Sequence, residues 1–338
     1  MRIDFTRSNV QGAIGNVPES RWLRTRGLVW LLLSSPFLAI CQGQPTNTPP
    51  SQDTYPSATA ILVHSDLVLI PVTVTDGGGS VVTGLQKEHF TLFEDKVQQV
   101  ITHFASEDAP ASIGFVFDTS DSMRPKLHKA REAVAALLNE ANREDEFFLV
   151  QFSTHPELVV PMTRRREDIR TRVETLQVSG ATALLDAVTL AMEEMKNARH
   201  TRKAIIIISD GEDNSSRGSM VQFKAAVREA DVLIYAIGIE SGDYNPTWGP
   251  QVVSGAAFLR EITKQTGGRL IEVQKLKQLP EAASRIGEWL RRQYVLGYAP
   301  NNSAHNGGYH HIQLKLSKAK GFPRLHAFWR LGYYEPAE

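Results

Sequence analysis

The chain has 338 residues, 42% of them hydrophobic, and its 37 lysines and arginines balance its 37 aspartates and glutamates. This apolar content is enough to build a hydrophobic core, which excludes a wholly disordered chain. A net charge of zero provides no overall field to attract nucleic acid or an anionic membrane surface, so we expect neither as a partner.

The first segment, residues 1–41, has the layout of an export signal or an N-terminal membrane anchor. Three arginines precede a short apolar stretch at residues 28–40, shorter than the ~18 apolar residues of a spanning helix. Cys41 is the single cysteine, which excludes an intrachain disulfide. We expect simple export or a retained anchor in preference to lipidation of Cys41, and a periplasmic, cell-envelope or secreted protein.

Residues 42–59 are rich in Pro, Thr and Ser, which predicts a flexible linker. Residues 60–108 alternate between apolar and polar. Val72 and Val74 share one side, and the threonines that follow each of them share the other, which predicts a half-buried strand. Further short strands follow, so this segment is predicted to be a small antiparallel β module.

Residues 109–293 alternate apolar strands with amphipathic helices. This order predicts a doubly wound α/β domain with a mostly parallel sheet and helices on both faces. Residues 294–338 return to strand-like alternation. We expect them to pair with residues 60–108, which would make one small β-sandwich interrupted by the α/β domain.

Polar residues follow two of the buried strands and open one helix. Asp118 ends a strand and begins the sequence DTSDS, Asp210 ends a later strand, and Thr182 lies in a loop before a helix. Ligands of open α/β sheets bind at the carboxyl ends of the strands. Two carboxylates and the hydroxyls of Ser120, Ser122 and Thr182 form a hard oxygen set. This set suits Mg²⁺, with Mn²⁺ or Ca²⁺ as alternatives.

These residues resemble the metal site of von Willebrand factor type A domains. DTSDS is similar to the family's DxSxS signature, and the segments 180–182 and 209–211 are similar to its second and third loops, with Ala181 where glycine is common. The flanks TGLQKEHFTLFEDKVQQVITHF and YVLGYAP resemble exported bacterial, acidobacterial-type proteins that carry this domain. The resemblance implies a Rossmann-like fold over residues 109–293.

The resemblance also implies a metal-ion-dependent adhesion site. Its ligands would be Ser120, Ser122 and Thr182, with Asp118 and Asp210 holding the ion directly or through water. The implied function is non-catalytic, metal-dependent binding of a protein or surface ligand that offers a carboxylate to the ion. The same residues could instead serve only as turn formers and helix caps.

Four more residues are candidates for the surroundings of the site. Asp186, one turn into a helix, and Asp213, in a turn, are interpreted as supporting residues rather than ligands. Tyr244 and Trp248 occupy a loop at the same sheet edge, where they would either contact a partner or form a self-packed lid. A zinc site at His305, His310 and His311 is not favoured, because their spacing is not that of a structural zinc site.

Two other functions compete with adhesion. Asp118 could be the nucleophile of a metal-dependent phosphatase or other hydrolase, although such phosphatases carry a second aspartate where this chain has Ser120. The protein could also be a structural component of a cell-envelope complex, in which the ion only stiffens the loops. We expect that it is not an enzyme, because no nucleophilic triad or phosphate-binding glycine loop accompanies Asp118.

Overall fold

The computed structural model describes residues 67–106, 108–239, 255–300, 307–317 and 324–335. The predicted export segment, the linker, Tyr244, Trp248 and His305 lie outside the described residues. All described residues belong to one compact unit, Leu62–Glu338. Within them, no helix combines the length and the apolar character that crossing a bilayer requires.

The strands are β1 Val68–Thr75, β2 Phe90–Glu94, β3 Val97–Gln99, β4 His103–Ala105, β5 Ala111–Asp118, β6 Glu146–Phe152, β7 Pro156–Thr163, β8 Arg202–Ser209, β9 Leu233–Ile239, β10 Leu270–Val273, β11 Tyr294–Tyr298, β12 Tyr309–Leu316, β13 His326–Trp329 and β14 Gly332–Tyr334. The helices are α1 Leu127–Asn139, α2 Arg166–Thr175, α3 Leu184–Glu194, α4 Met220–Glu229, α5 Gly255–Thr266 and α6 Leu279–Arg291.

The central sheet has six strands in the order β10-β9-β8-β5-β6-β7. Five of these strands are parallel, and only the edge strand β7 runs antiparallel to its neighbour β6. Because β5 lies next to β8, their carboxyl ends meet at the middle of one sheet edge. The α/β fold with a mostly parallel sheet is confirmed.

Helices cover both faces of this sheet. Phe115 and Phe117 of β5 point to the face that packs against α1, α2 and α6. Val116, between them, points to the face that packs against α3, α4 and α5. All eight residues of β5 are buried, as expected for a central parallel strand with apolar layers on both sides.

The segments on either side of the α/β domain form two four-stranded antiparallel sheets, β13-β1-β11-β4 and β14-β12-β2-β3. Strand β1 pairs with β11, and β2 pairs with β12, so the N-terminal and C-terminal segments share both sheets. Their inner faces bury one common cluster that includes Ile70, Leu92, Tyr294 and Ile312.

Strand β1 departs from the half-buried pattern predicted for it. Thr73 and Thr75, expected on an open face, are only 2% and 1% exposed. The α/β domain covers this second face, where the Arg269 guanidinium contacts Thr75 Oγ1 at 3.5 Å and stacks on the rings of Trp289 and Phe328. The neighbouring domain thus supplies a polar partner for Thr75, whereas Thr73 Oγ1 is buried without a hydrogen-bond partner among the described residues.

Candidate metal site

Three loops are joined by backbone hydrogen bonds at the carboxyl ends of β5 and β8. The Ser179 amide donates to the Thr119 carbonyl over 2.8 Å, and the Asp121 amide donates to the Gly180 carbonyl over 3.0 Å. The Asn214 amide donates to the Thr182 carbonyl over 3.0 Å. The first, second and third predicted loops therefore form one connected surface.

Asp118 is held by the chain on both of its carboxylate oxygens. Oδ1 accepts the Ser120 amide at 2.9 Å, and Oδ2 accepts the Ser209 hydroxyl at 2.6 Å. The residue is fully buried. Burial raises the pKa of Asp118 to about 6, against the lowering effect of hydrogen bonds from Ser120 and Ser209, and the charge of Asp210 raises it further.

Ser120 and Ser122 present two hydroxyls side by side, with their Oγ atoms 3.1 Å apart. Ser120 precedes the short 3₁₀ turn Asp121–Met123, but its side chain makes no capping hydrogen bond to that turn. The alternative role of Ser120 as a helix cap is therefore wrong. Its hydroxyl contacts that of Ser122 instead.

Thr182 is fixed by Asn214, which the sequence had not singled out. The Asn214 side-chain oxygen accepts the Thr182 amide at 2.9 Å, and the Thr182 carbonyl accepts the amides of Asn214 and Ser215. Gly180, two residues earlier, has a φ of 81°, which glycine adopts without strain. Ala181 keeps a negative φ, so the alanine at this position fits the loop.

Asp210 divides its carboxylate between a partner and an unpaired oxygen. Oδ2 accepts the Lys126 ammonium at 2.9 Å, and the Asp210 side chain is 0% exposed. Oδ1 is buried without a hydrogen-bond partner. A buried carboxylate oxygen left unpaired is energetically costly, so its presence at a predicted metal site is a specific observation in favour of a ligand there.

The donor set fits a hard divalent cation. It contains the unpaired Asp210 oxygen, the adjacent serine hydroxyls and a buried threonine, and it lacks thiol and imidazole donors. Among the residues that the structure describes, no group of three or more His, Cys, Asp or Glu side chains is arranged to hold a metal. Any ion at this edge would therefore depend on hydroxyl oxygens as well as on carboxylates.

Asp186 and Asp213 hold the loops around this edge. Asp186 accepts the Arg217 and Gly218 amides at 2.9 and 3.0 Å, which fixes the turn before α4. Asp213 accepts the Leu185 amide at 3.1 Å, in the first turn of α3. The residue that precedes α3 is Ala183, which cannot cap the helix with a side chain, so Asp213 supplies that acceptor from another loop.

Sequence reasoning missed three residues of this arrangement: Lys126, Ser209 and Asn214. Ser209 stands beside Asp210 in the third loop, and strand alternation places its side chain on the side of the sheet opposite to that of Ile208. Asn214 carried only a general turn signal. Lys126 preceded an amphipathic helix, where a lysine is ordinarily solvent-exposed, so nothing in its pattern indicated burial.

His310 of the C-terminal segment takes part in a separate polar cluster. His310 Nδ1 lies 2.8 Å from Asp95 Oδ2, while Glu94 accepts hydrogen bonds from the hydroxyls of Tyr298 and Tyr333. Burial alone would lower the pKa of His310. The hydrogen bond to Asp95 and the charges of nearby carboxylates outweigh that effect and raise it.

Comparison with known proteins supports the assignment of the α/β domain. Residues 113–212 match the family model of the von Willebrand factor type A domain. An uncharacterized protein of Borreliella burgdorferi is 26% identical over 192 residues, which cover 49% of this chain and 54% of that protein. Human inter-alpha-trypsin inhibitor heavy chain H4 is 27% identical over 184 residues, 50% of this chain and 19% of that protein.

The chain thus spans about half or less of the length of these relatives. Among solved structures, a von Willebrand factor type A protein from Catenulispora acidiphila superposes with a TM-score of 0.46 at 15% identity, covering 80% of this chain and 73% of that one. The corresponding domain of the type V pili tip protein Mfa5 from Porphyromonas gingivalis gives 0.42 at 13% identity, covering 54% and 95%.

Proposed function

We propose that the chain is a non-catalytic binding protein whose ligand is held through a divalent metal, because residues 113–212 match the von Willebrand factor type A domain. Domains of this family support adhesion and protein interaction in general. The observation that carries the metal proposal is the buried, unpaired Oδ1 of Asp210 beside the paired hydroxyls of Ser120 and Ser122. Mg²⁺ is the proposed ion.

Asp210, Ser120, Ser122 and Thr182 would bind the ion, and Asp118 would orient the first loop and contribute negative charge. When bound, the ion supplies a concentrated positive charge and a coordination position for an oxygen from outside. The chain's own contribution is to hold these oxygens in place through the hydrogen bonds that join the three loops. A carboxylate of a partner protein is the proposed outside ligand.

The geometry of Asp118 supports binding rather than hydrolysis. A nucleophilic carboxylate needs an oxygen that can approach the substrate, whereas both oxygens of Asp118 accept hydrogen bonds and the residue is fully buried.

The proposed export of the chain rests on the sequence of residues 1–41 and would place the site in the envelope or outside the cell.

Thermal unfolding of the full chain with EDTA, Mg²⁺, Mn²⁺ or Ca²⁺ tests the metal site. Binding to the folded state raises the melting temperature in proportion to the logarithm of the ion concentration above its dissociation constant. Asp210→Asn should abolish this rise. Asp231→Asn is the matched control, because Asp231 is 77% exposed and pairs with Arg330 elsewhere. A wild type that responds to no cation, with calorimetric titration also silent, would refute the metal site.

A peptide display library tests the binding function. The library is incubated with the full chain in Mg²⁺ and eluted with EDTA. Enrichment of Asp or Glu in the eluted peptides supports metal-dependent carboxylate recognition. If the eluted peptides have the composition of the input library while the metal still stabilises the fold, the ion serves only to stiffen the loops.

A further inference from the structure

Lys126 forms a buried ion pair with one of the proposed metal ligands. Its Nζ lies 2.9 Å from Asp210 Oδ2, and the two side chains are 10% and 0% exposed. The backbone of Lys126 is fixed immediately before α1, where its amide donates to the Met123 carbonyl and its carbonyl accepts the Ala130 amide. The ammonium is therefore held at the edge of the site rather than carried on a mobile surface side chain.

Stability alone does not account for this lysine. Removing two charges from water carries a large desolvation penalty, and well-packed apolar replacements for buried ion pairs are often as stable or more stable. The pair with Lys126 also occupies one Asp210 oxygen and leaves the other unpaired. Lys126 thus affects both which Asp210 oxygen is available to an ion and the net charge beside that oxygen.

The formal charges of the site show what Lys126 changes. Counted as ionised side chains, Asp118 and Asp210 contribute two negative charges, Lys126 contributes one positive charge, and the hydroxyl ligands are neutral. A divalent ion added to this set leaves one net positive charge. Without Lys126, the same ion would leave the site neutral.

We propose that Lys126 is a specificity-determining residue that makes the metal-loaded site select a carboxylate over a neutral ligand oxygen. This inference rests on the proposed function of the site. An anionic ligand brings the charge of the loaded site to zero in a partly buried setting, where an uncompensated charge is unfavourable. A neutral amide or hydroxyl oxygen leaves that charge uncompensated.

Lys126 then has opposite effects on the two ligands of the site. Its positive charge repels the metal ion and attracts the carboxylate that follows it. Neutralising Lys126 should strengthen metal binding and weaken carboxylate binding. A lysine with a purely structural role would not shift these two affinities in opposite directions.

The test uses Mn²⁺ as the probe metal and the full chain. Electron paramagnetic resonance of free Mn²⁺ gives the metal dissociation constant, and water-proton relaxation of the Mn²⁺-loaded protein reports displacement of bound water by acetate or by its neutral analogue acetamide. Lys126→Gln removes the charge and retains a hydrogen-bond donor, Lys126→Met retains only the apolar stem, and Lys126→Arg retains the charge. Lys129→Met is the matched control, since Lys129 pairs with Glu132 on the half-exposed side of α1.

For the neutral variants we expect a roughly tenfold lower Mn²⁺ dissociation constant and a roughly tenfold higher acetate dissociation constant, from the loss of one unit charge close to both ligands. Acetamide binding should be unchanged, and Lys126→Arg and Lys129→Met should behave like the wild type. Circular dichroism melting establishes that each variant is folded.

The outcomes separate this inference from the proposed function. A wild type that does not bind Mn²⁺ refutes both. A wild type that binds Mn²⁺ and prefers acetate, with neutral variants that keep the same preference, refutes the role of Lys126 alone. A wild type that binds acetate no better than acetamide also refutes it, and so does failure of both neutral variants to fold, which would make Lys126 a structural residue.

Discussion

Ser209 is predicted to support the candidate site without being one of its metal ligands. Its hydroxyl donates to Asp118 Oδ2 at 2.6 Å and accepts the Gly211 amide at 2.9 Å, and Ser209 is fully buried. Ser209→Ala removes both of these hydrogen bonds at once. A charged oxygen and a backbone amide would then stay buried without hydrogen bonds, because the alanine methyl group leaves little room for water.

The expected loss follows from those two contacts. Leaving a buried polar group unsatisfied costs about 1–3 kcal/mol, and more for a charged group, so Ser209→Ala should lower the free energy of unfolding by about 2–4 kcal/mol. Loss of the donor from Ser209 should also raise the pKa of Asp118 above its present value of about 6. The free energy is measured by urea denaturation in EDTA, so that metal binding does not contribute.

Ser122→Ala is the matched comparison, because Ser122 is also a serine of the site but, among the residues that the structure describes, its hydroxyl is hydrogen-bonded to Ser120 alone. We expect a change in unfolding free energy within about 0.5 kcal/mol together with loss of the metal-dependent rise in melting temperature. If Ser209→Ala proved as stable as wild type, or if Ser122→Ala were the more destabilised of the two, the division between supporting and ligand residues would be wrong.

Three further predictions concern the surroundings of the site and the sandwich. Asp213→Ala should lower the unfolding free energy by about 1 kcal/mol in urea denaturation, because it removes the acceptor of the Leu185 amide at the start of α3. Gly180→Ala should weaken the metal-dependent rise in melting temperature, because an added Cβ would collide with the Thr154 hydroxyl and the φ of 81° is unfavourable for alanine. The raised pKa of His310 stabilises the fold below its unfolded value of 6.5, and this contribution is lost as pH rises through the folded value. The difference in unfolding free energy between wild type and His310→Gln should therefore be larger at pH 6 than at pH 9, and an unchanged difference would exclude a role for the pair with Asp95.

The alternation of strands and helices was sufficient to predict the central domain because the middle of each central strand is a continuous apolar run. Strand β5 shows why: every residue from Ala111 to Asp118 is buried, and its sequence changes from apolar to polar where the strand ends. The same change located the ends of β5 and β8 at one edge of the sheet. The spacing of apolar residues and the change from apolar to polar residues are local properties, so they can be recognised in a single sequence.

Contacts between segments far apart in the sequence could not be predicted from such local patterns. Thr73 and Thr75 alternate like solvent-facing residues, yet both are buried, and Arg269 of the α/β domain contacts Thr75. A local pattern reports that a face is polar, and it cannot distinguish water from a polar neighbour. The burial of Lys126 could not be predicted for the same reason, since its partner Asp210 lies 84 positions away.

The two aspartates of the site are alike in sequence context and differ in what the fold does with them. Asp118 has both oxygens satisfied by the Ser120 amide and the Ser209 hydroxyl, so it serves as an anchor for the first loop. Asp210 has one oxygen bound by Lys126 and one left unpaired, so it retains the capacity to bind an ion directly. The Asp118 carboxylate therefore fixes the loop that carries the serine hydroxyls. The Asp210 carboxylate offers a buried oxygen that lacks a hydrogen-bond partner, and a bound cation would supply that partner. Lys126 pairs with Asp210, the aspartate that would meet the ion in the proposed site, so its charge would act directly beside the ion and the ligand that the ion takes up.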